Sequence, residues 1–325
     1  RVASVTAQGQ ESLITLRSAL KHTHFAGATE NYGTRSIRMR ARVGLLTNNI
    51  VIRGSGEGEQ TPYTRWNSPA AGDASAASCG NSVCENGETS ESCSQDCVGP
   101  AHEFGASILV AEYNEDFTYC STQRECTAGY RRKFAGSAEM RNVEMRYYGQ
   151  NNLRPGIQFS NVNEKNSSIS QVSMNRGYYY AISIEQSSMV SIDRNVIFRS
   201  MVSSVQVVGS RSTANIISGN LAVVGIFWNT HRNAVQGKGL AKAKLNAMIG
   251  MYHDEGVGTV LRDNVAAGSE RAGFSSPGVA CDDTRRFQGN EVHSSLAGFW
   301  FDFFSAPKLP RTCTAVTDLR AWKIY

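Results

Sequence analysis

Three residues in MYHDEG (Met251–Gly256) carry the chemistry most easily named: His253, Asp254 and Glu255 stand in direct succession. Asp263, Glu270 and Arg271 follow, and His293 comes one repeat later in the strand-like NEVHSS. An imidazole at a strand end beside two carboxylates could transfer protons at a glycosidic oxygen, or hold a cation for a glycan. The plainer reading is a corner loop whose polar side chains satisfy exposed backbone groups. Contiguity in sequence does not place such groups within reach of one another. On that reading the chain has no catalytic residues and is not an enzyme.

Eight cysteines form the second chemical group. Cys79, Cys84, Cys93 and Cys97 lie together in CGNSVCENGETSESCSQDC, Cys120 and Cys126 are six apart, and Cys281 and Cys313 stand far downstream. An even number, half of it clustered in a polar segment, reads as a disulfide framework made in an oxidising compartment. Zinc fits poorly, because the cluster has no CxxC and no nearby histidine. Glu85, Asn86, Glu88, Glu91 and Asp96 could offer oxygen ligands to a structural calcium ion in the 79–97 loop, although not in an EF-hand register. No other cofactor is called for. The alternating pair His22 and His24 has no third ligand nearby, so no metal site is expected there. Asn166-Ser167-Ser168 is an N-glycosylation sequon, whereas Asn67-Ser68-Pro69 is blocked by its proline.

Net charge is +5, from 33 Lys and Arg against 28 Asp and Glu. The arginines are scattered except at Arg35, Arg38, Arg40 and Arg42, where period-2 alternation puts three on one strand face. No aromatics interleave with them, so no nucleic-acid partner is implied. Aromatics concentrate in Tyr178-Tyr179-Tyr180 and in GFWFDFF (Gly298–Phe304). If Phe299, Phe301 and Phe303 alternate inward as core, Trp300 and Phe304 face out as a candidate interface. No phosphate loop, GxSxG elbow or HExxH is present.

The elements that must position these residues are short strands. The chain has 325 residues, 41% hydrophobic and only 19% charged, with 30 glycines. No apolar run approaches the ~20 residues of a spanning helix, and RVASVTAQGQ is not a signal peptide. Segments beginning at Met140, Ser168, Ser191, Ile216, Leu261 and Phe287 resemble one another. Their aligned positions, Asn142, Val172, Asn195, Asn220, Asn264 and Asn290, are separated by 30, 23, 25, 44 and 26 residues. A period near 25 with several short strands per unit predicts an all-β fold, a right-handed parallel β-helix. The repeated asparagine is expected at a corner, where it tolerates left-handed backbone and can bond its equivalent one turn away. The 44-residue interval reads as two turns with one disguised near residue 242, or as an excursion from the stack. KGLAKAKLNAMIGM, from Lys238, is the best helical candidate.

These residues also resemble a known family. Ile14–Gly27 followed by Arg40–Ser55 is similar to the end of a G8 domain running into the parallel β-helix of fibrocystin and fibrocystin-like proteins. Met140–Gln150, Asp263–Phe274 and Gly289–Phe301 resemble further stretches of that β-helix. The cysteine cluster departs from the family pattern, as a disulfide-rich loop insertion. The resemblance implies residues 1–55 as the G8-like end and first turns, 56–100 as the insertion, and 101–325 as β-helix turns. The Arg1 start and the LRAWKIY end are expected to be cuts in a longer protein, the last turn being left incomplete. It further implies an extracellular segment of a cell-surface glycoprotein, a structural or adhesive scaffold in a ciliary or flagellar coat or filament. Its partners would be extracellular proteins or glycans, with higher-order assembly and membrane attachment only through parts outside this chain. The alternative the resemblance carries is a glycan-binding or glycan-degrading, hyaluronidase-like G8/β-helix protein, centred on His253, Asp254 and Glu255.

Overall fold

The computed structural model describes residues 2–8, 11–17, 26–32, 35–40, 44, 46–54, 105–122, 125–150, 154–226, 250–281, 283–301 and 314–325. They fall into two compact units, Arg1–Gly44 and Leu45–Tyr325. The first holds two antiparallel hairpins, Val2–Gln8 with Glu11–Leu16 and Ala26–Tyr32 with Arg35–Arg40.

The second unit is a β-solenoid of about six turns, each contributing one strand to each of three parallel sheets. The eight-stranded sheet runs from Ile50–Arg53 through Val143–Arg146, Ser173–Asn175 and Val196–Met201 to Arg320–Ile324. The seven-stranded sheet runs from Ile108–Ala111 through Ile182–Glu185, Val205–Val208, Gly250–Asp254 and Ala272–Ser276 to Ala297–Phe301. The six-stranded sheet runs from Glu139–Arg141 to Phe287–Gln288. An antiparallel hairpin, Tyr113–Thr122 with Glu125–Phe134, follows the strand Ile108–Ala111.

The sequence builds this stack because residues one period apart fall in register. Met145, Met174, Ile197, Ala222, Ala266 and Val292 form one inward row of the eight-stranded sheet, each fully buried. Ile157, Ile182, Val205, Tyr252 and Phe274 form the facing row. Burying each of the larger aliphatic and phenylalanine side chains in these rows contributes about 1.5–3 kcal/mol, which no isolated turn could collect. Where the first row shrinks to alanine, the second grows to Tyr252 and Phe274, stacked at 5.0 Å. The Tyr252 hydroxyl crosses the core and donates to the carbonyl of Asn220 at 3.0 Å.

The corners bear out the expected bond between asparagines one turn apart and correct the expected left-handed backbone. One column of left-handed residues comprises Asn142, Gln171, Arg194, Gly219, Asp263, Gly289 and Asp318, with φ between 51 and 68°. Asn195, Asn220, Asn264 and Asn290 each follow such a residue and are buried. They bond to one another from turn to turn instead of bending the chain. Asn142 therefore belongs to the bend column and stands one position out of step with the other four. Strand register also shows Val143, not Asn142, in the row of Val172.

The 44-residue interval is likewise one turn, not two. Leu221–Ile226 pairs directly with Val265–Ser269, and the amide of Asn220 reaches Oδ1 of Asn264 at 3.1 Å. Most of the helical candidate lies outside the described residues, and its last two positions, Gly250 and Met251, are strand.

Candidate functional site

His253, Asp254 and Glu255 belong to the end of the strand Gly250–Asp254, and strand alternation sends them to different sides. His253 pairs in register between Gln206 and Ser275, on the outer face of the seven-stranded sheet. Asp254 pairs with Val207, on the inward face. Glu255, the next outward residue, comes back to His253, with Nε2 and Oε1 3.0 Å apart. The structure thus brings His253 and Glu255 together and turns Asp254 away.

A hydrogen-bond chain runs through the imidazole. The Gly250 amide donates to Oγ of Ser275 at 2.7 Å, and that hydroxyl lies 2.8 Å from Nδ1 of His253. Nδ1 faces the Ser275 hydroxyl and Nε2 faces the Glu255 carboxylate, so the tautomer with its proton on Nε2 would donate to Glu255 and accept from Ser275. Serine, histidine and glutamate stand in the order of a nucleophile, a base and an orienting acid. Their burial decides what they do. Ser275 is 1% exposed and His253 5%, so the chain ties neighbouring turns and offers no open hydroxyl. Ser275 was not a candidate from the sequence alone. Its signal was the repeat itself, which sets it 22 residues on and next to His253.

On one side of Asp254 its row is filled by Val207, Ile184, Phe159 and Val110. Burial pushes its carboxyl up to about 6, against the opposing pull of the Thr259 hydroxyl and the Gly256 amide. The Gly256 amide donates to Oδ1 at 2.9 Å. Burial also holds the Arg271 guanidinium below its usual range, with Glu270 acting in the other direction.

The remaining sequence candidates disperse. His293 lies on the eight-stranded sheet, stacked on Trp322 at 4.8 Å, and so on a different sheet from His253. Asp193 pairs with its own neighbour Arg194 at 2.6 Å. Tyr178 is buried, while Tyr179 and Tyr180 meet edge-on at 4.3 Å and their phenols are pushed upward by burial. Phe299 packs against Phe287 at 5.4 Å, but Phe301 is 40% exposed instead of filling core. Trp300 is half-buried. Asn166 is exposed directly before the strand Ser167–Ser170.

Cys281 is disulfide-bonded, and the backbones of Cys120 and Cys126 face each other in the antiparallel hairpin. Cys79, Cys84, Cys93 and Cys97, the 79–97 calcium loop, His22, His24, Phe304 and Cys313 lie outside the described residues. Among the described residues no group of three or more His, Cys, Asp or Glu could hold a metal ion. No described helix is long and apolar enough to cross a membrane.

Known proteins bear on this arrangement at the level of sequence. No protein-family model matches the chain, and no solved structure matches it. Human fibrocystin-L is 24% identical over 328 aligned residues, which cover 96% of this chain. The relationship is fibrocystin-like. Mouse fibrocystin-L is 25% identical over 236 residues, covering 68% of the chain. The chain spans 6% of the length of human fibrocystin-L and 5% of the mouse protein. The fibrocystin-like relationship and the β-solenoid together fit an extracellular or cell-surface protein.

Proposed function

We propose that this chain is an extracellular segment of a fibrocystin-like cell-surface glycoprotein, serving as a structural or adhesive scaffold in a ciliary or flagellar coat or filament. The observation that carries this reading is the unbroken parallel ladder of the solenoid, from Ile50–Arg53 to Arg320–Ile324. A stack of this kind lengthens by about 4.8 Å with every added turn and stays stiff, because each turn is bonded to both neighbours. It presents long outer faces to extracellular proteins or glycans. The exposed Asn166 supports glycosylation at that sequon. An antibody raised against this chain should label the surface and cilia of unpermeabilised cells. Label found only after permeabilisation would overturn the proposal.

The glycan-degrading alternative draws support from the 3.0 Å approach of His253 to Glu255. Against it stand the burial of His253 and the inward turn of Asp254. Incubation with hyaluronan separates the readings. Chain cleavage that disappears in His253→Ala would replace the scaffold with an enzyme.

A further inference from the structure

The outer face of the eight-stranded sheet carries an arginine on three of four consecutive strands and one directly after the other. Arg53 and Arg146 pair in register. Asn175 follows Arg146 across the sheet and Phe198 follows Asn175, which places Arg176 and Arg199 side by side in the next column, headed by Tyr147. Tyr147, Arg176 and Arg199 share a left-handed backbone, with φ of 51, 60 and 57°. From Arg53 to Arg199 the line of guanidiniums, spread over these two adjacent columns, crosses three strand spacings, about 14 Å.

Packing holds these guanidiniums in place. Arg53 lies 5.4 Å from the centre of the Tyr147 ring and Arg176 lies 5.7 Å from it, also donating Nη1 to the phenol oxygen at 2.8 Å. Arg199 lies 5.2 Å from the Phe198 ring. Arg146 is paired with Glu144, whose side chain is 1% exposed and which raises the Arg146 pKa. Glu144 is the one carboxylate in the segments 50–53, 143–147, 173–176 and 196–199, against the four arginines. Within these described segments arginines therefore outnumber carboxylates.

We propose that this line of guanidiniums binds an anionic polysaccharide. A planar guanidinium fork matches a carboxylate or sulfate, and a pre-positioned fork loses little entropy on binding. Cations repeated at the strand spacing suit an extended chain bearing repeated negative groups; a single small anion would call for a convergent cluster. Nucleic acid fits less well. Single strands bind through open aromatic faces, and here the Tyr147 and Phe198 rings already support guanidiniums. This inference does not depend on the scaffold role.

The test measures binding of the 325-residue chain to immobilised heparin and hyaluronan, with neutral dextran and double-stranded DNA as comparisons. One acidic chain or both should bind, dextran should not, and affinity should fall steeply between about 50 and 200 mM salt. Heparin alone marks sulfate as the recognised group; hyaluronan alone marks carboxylate. Arg53→Gln/Arg176→Gln should weaken binding about tenfold or more with an unchanged melting temperature. Arg53→Lys/Arg176→Lys should retain part of the affinity, since charge remains without the fork. The proposal fails if neither acidic chain binds, if DNA binds more tightly, or if Arg211→Gln/Arg285→Gln costs as much affinity.

Discussion

Oδ1 of Asn220 accepts two hydrogen bonds from Asn195, one from its backbone amide and one from its side-chain amide, both at 2.9 Å. Asn220 in turn donates Nδ2 to the carbonyl of Ile192 and bonds to Asn264 as Asn195 bonds to it. The ladder lies out of contact with water, so every member left unpaired is felt. Asn220→Ala strands the amides of Asn195 and the carbonyl of Ile192. At about 1–3 kcal/mol for each buried group left unsatisfied, the expected loss is roughly 3–5 kcal/mol. Urea unfolding should show a lower midpoint at constant slope. Combining Asn220→Ala with Asn264→Ala should cost clearly less than the two losses added. Full additivity would mean that the ladder does not act as a unit.

The repeat was legible in the sequence because stacking puts like residues on like, and a period near 25 follows from one strand per sheet per turn. The role of its asparagine was legible only in part: the bond to its equivalent one turn away was expected and is present, but the left-handed backbone belongs to the residue before it. Asn142 looks the same as Asn220 in a string of letters, yet register places it in the bend column, where a left-handed residue is required. The interval between Asn220 and Asn264 misled for a related reason: an insertion adds length without adding a turn. At the candidate site, adjacency in MYHDEG suggested three groups acting together. A strand alternates its side chains, so the pair that meets is His253 with Glu255, and the partner contributed by the repeat is Ser275.

Gly177 should tolerate no side chain. It is buried, and a Cβ added there would land on the ring of Tyr148, itself fully buried. The backbone of Gly177 is not left-handed, so the penalty is steric alone. Gly177→Ala is expected to cost about 1–3 kcal/mol, the usual range for overpacking. Adding Tyr148→Leu should recover part of the loss, because the clash goes with the ring. Thermal unfolding of the single and double variants checks both statements. A double variant that shows the summed losses would place the cost elsewhere.

Cys281 follows the short strand Val279–Ala280, which pairs antiparallel with Thr314–Ala315 so that Ala280 faces Thr314. Cys281 is disulfide-bonded, and carrying the ladder one residue further calls for Cys313 as the partner. Peptide mapping without reduction should recover a peptide joining Cys281 to Cys313. Reduction should destabilise the C-terminal turn by about 2–4 kcal/mol, since the closed loop is long. Linkage of Cys281 to any of the clustered cysteines would refute the register argument.

Asp254 should make the protein less stable as pH rises through the mildly acidic range. Burial raises its carboxyl from 3.8 to about 6 in the folded state. Between these values the folded chain keeps a proton that the unfolded chain has released, so raising the pH draws the equilibrium toward unfolding. A shift of about two pH units corresponds to about 3 kcal/mol, lost progressively from near pH 4 to near pH 6. Below pH 4 both states are protonated, and above pH 6 both are ionised, so this contribution is flat outside the window. Asp254→Asn removes the titration while leaving an oxygen able to accept from the Gly256 amide, now bonded at 2.9 Å. The difference in unfolding free energy between wild type and Asp254→Asn, measured by urea at several pH values, should therefore move in favour of the variant from pH 4 to 6. A difference that stays constant across that window would show that Asp254 titrates normally and is not buried as a charge in the core row.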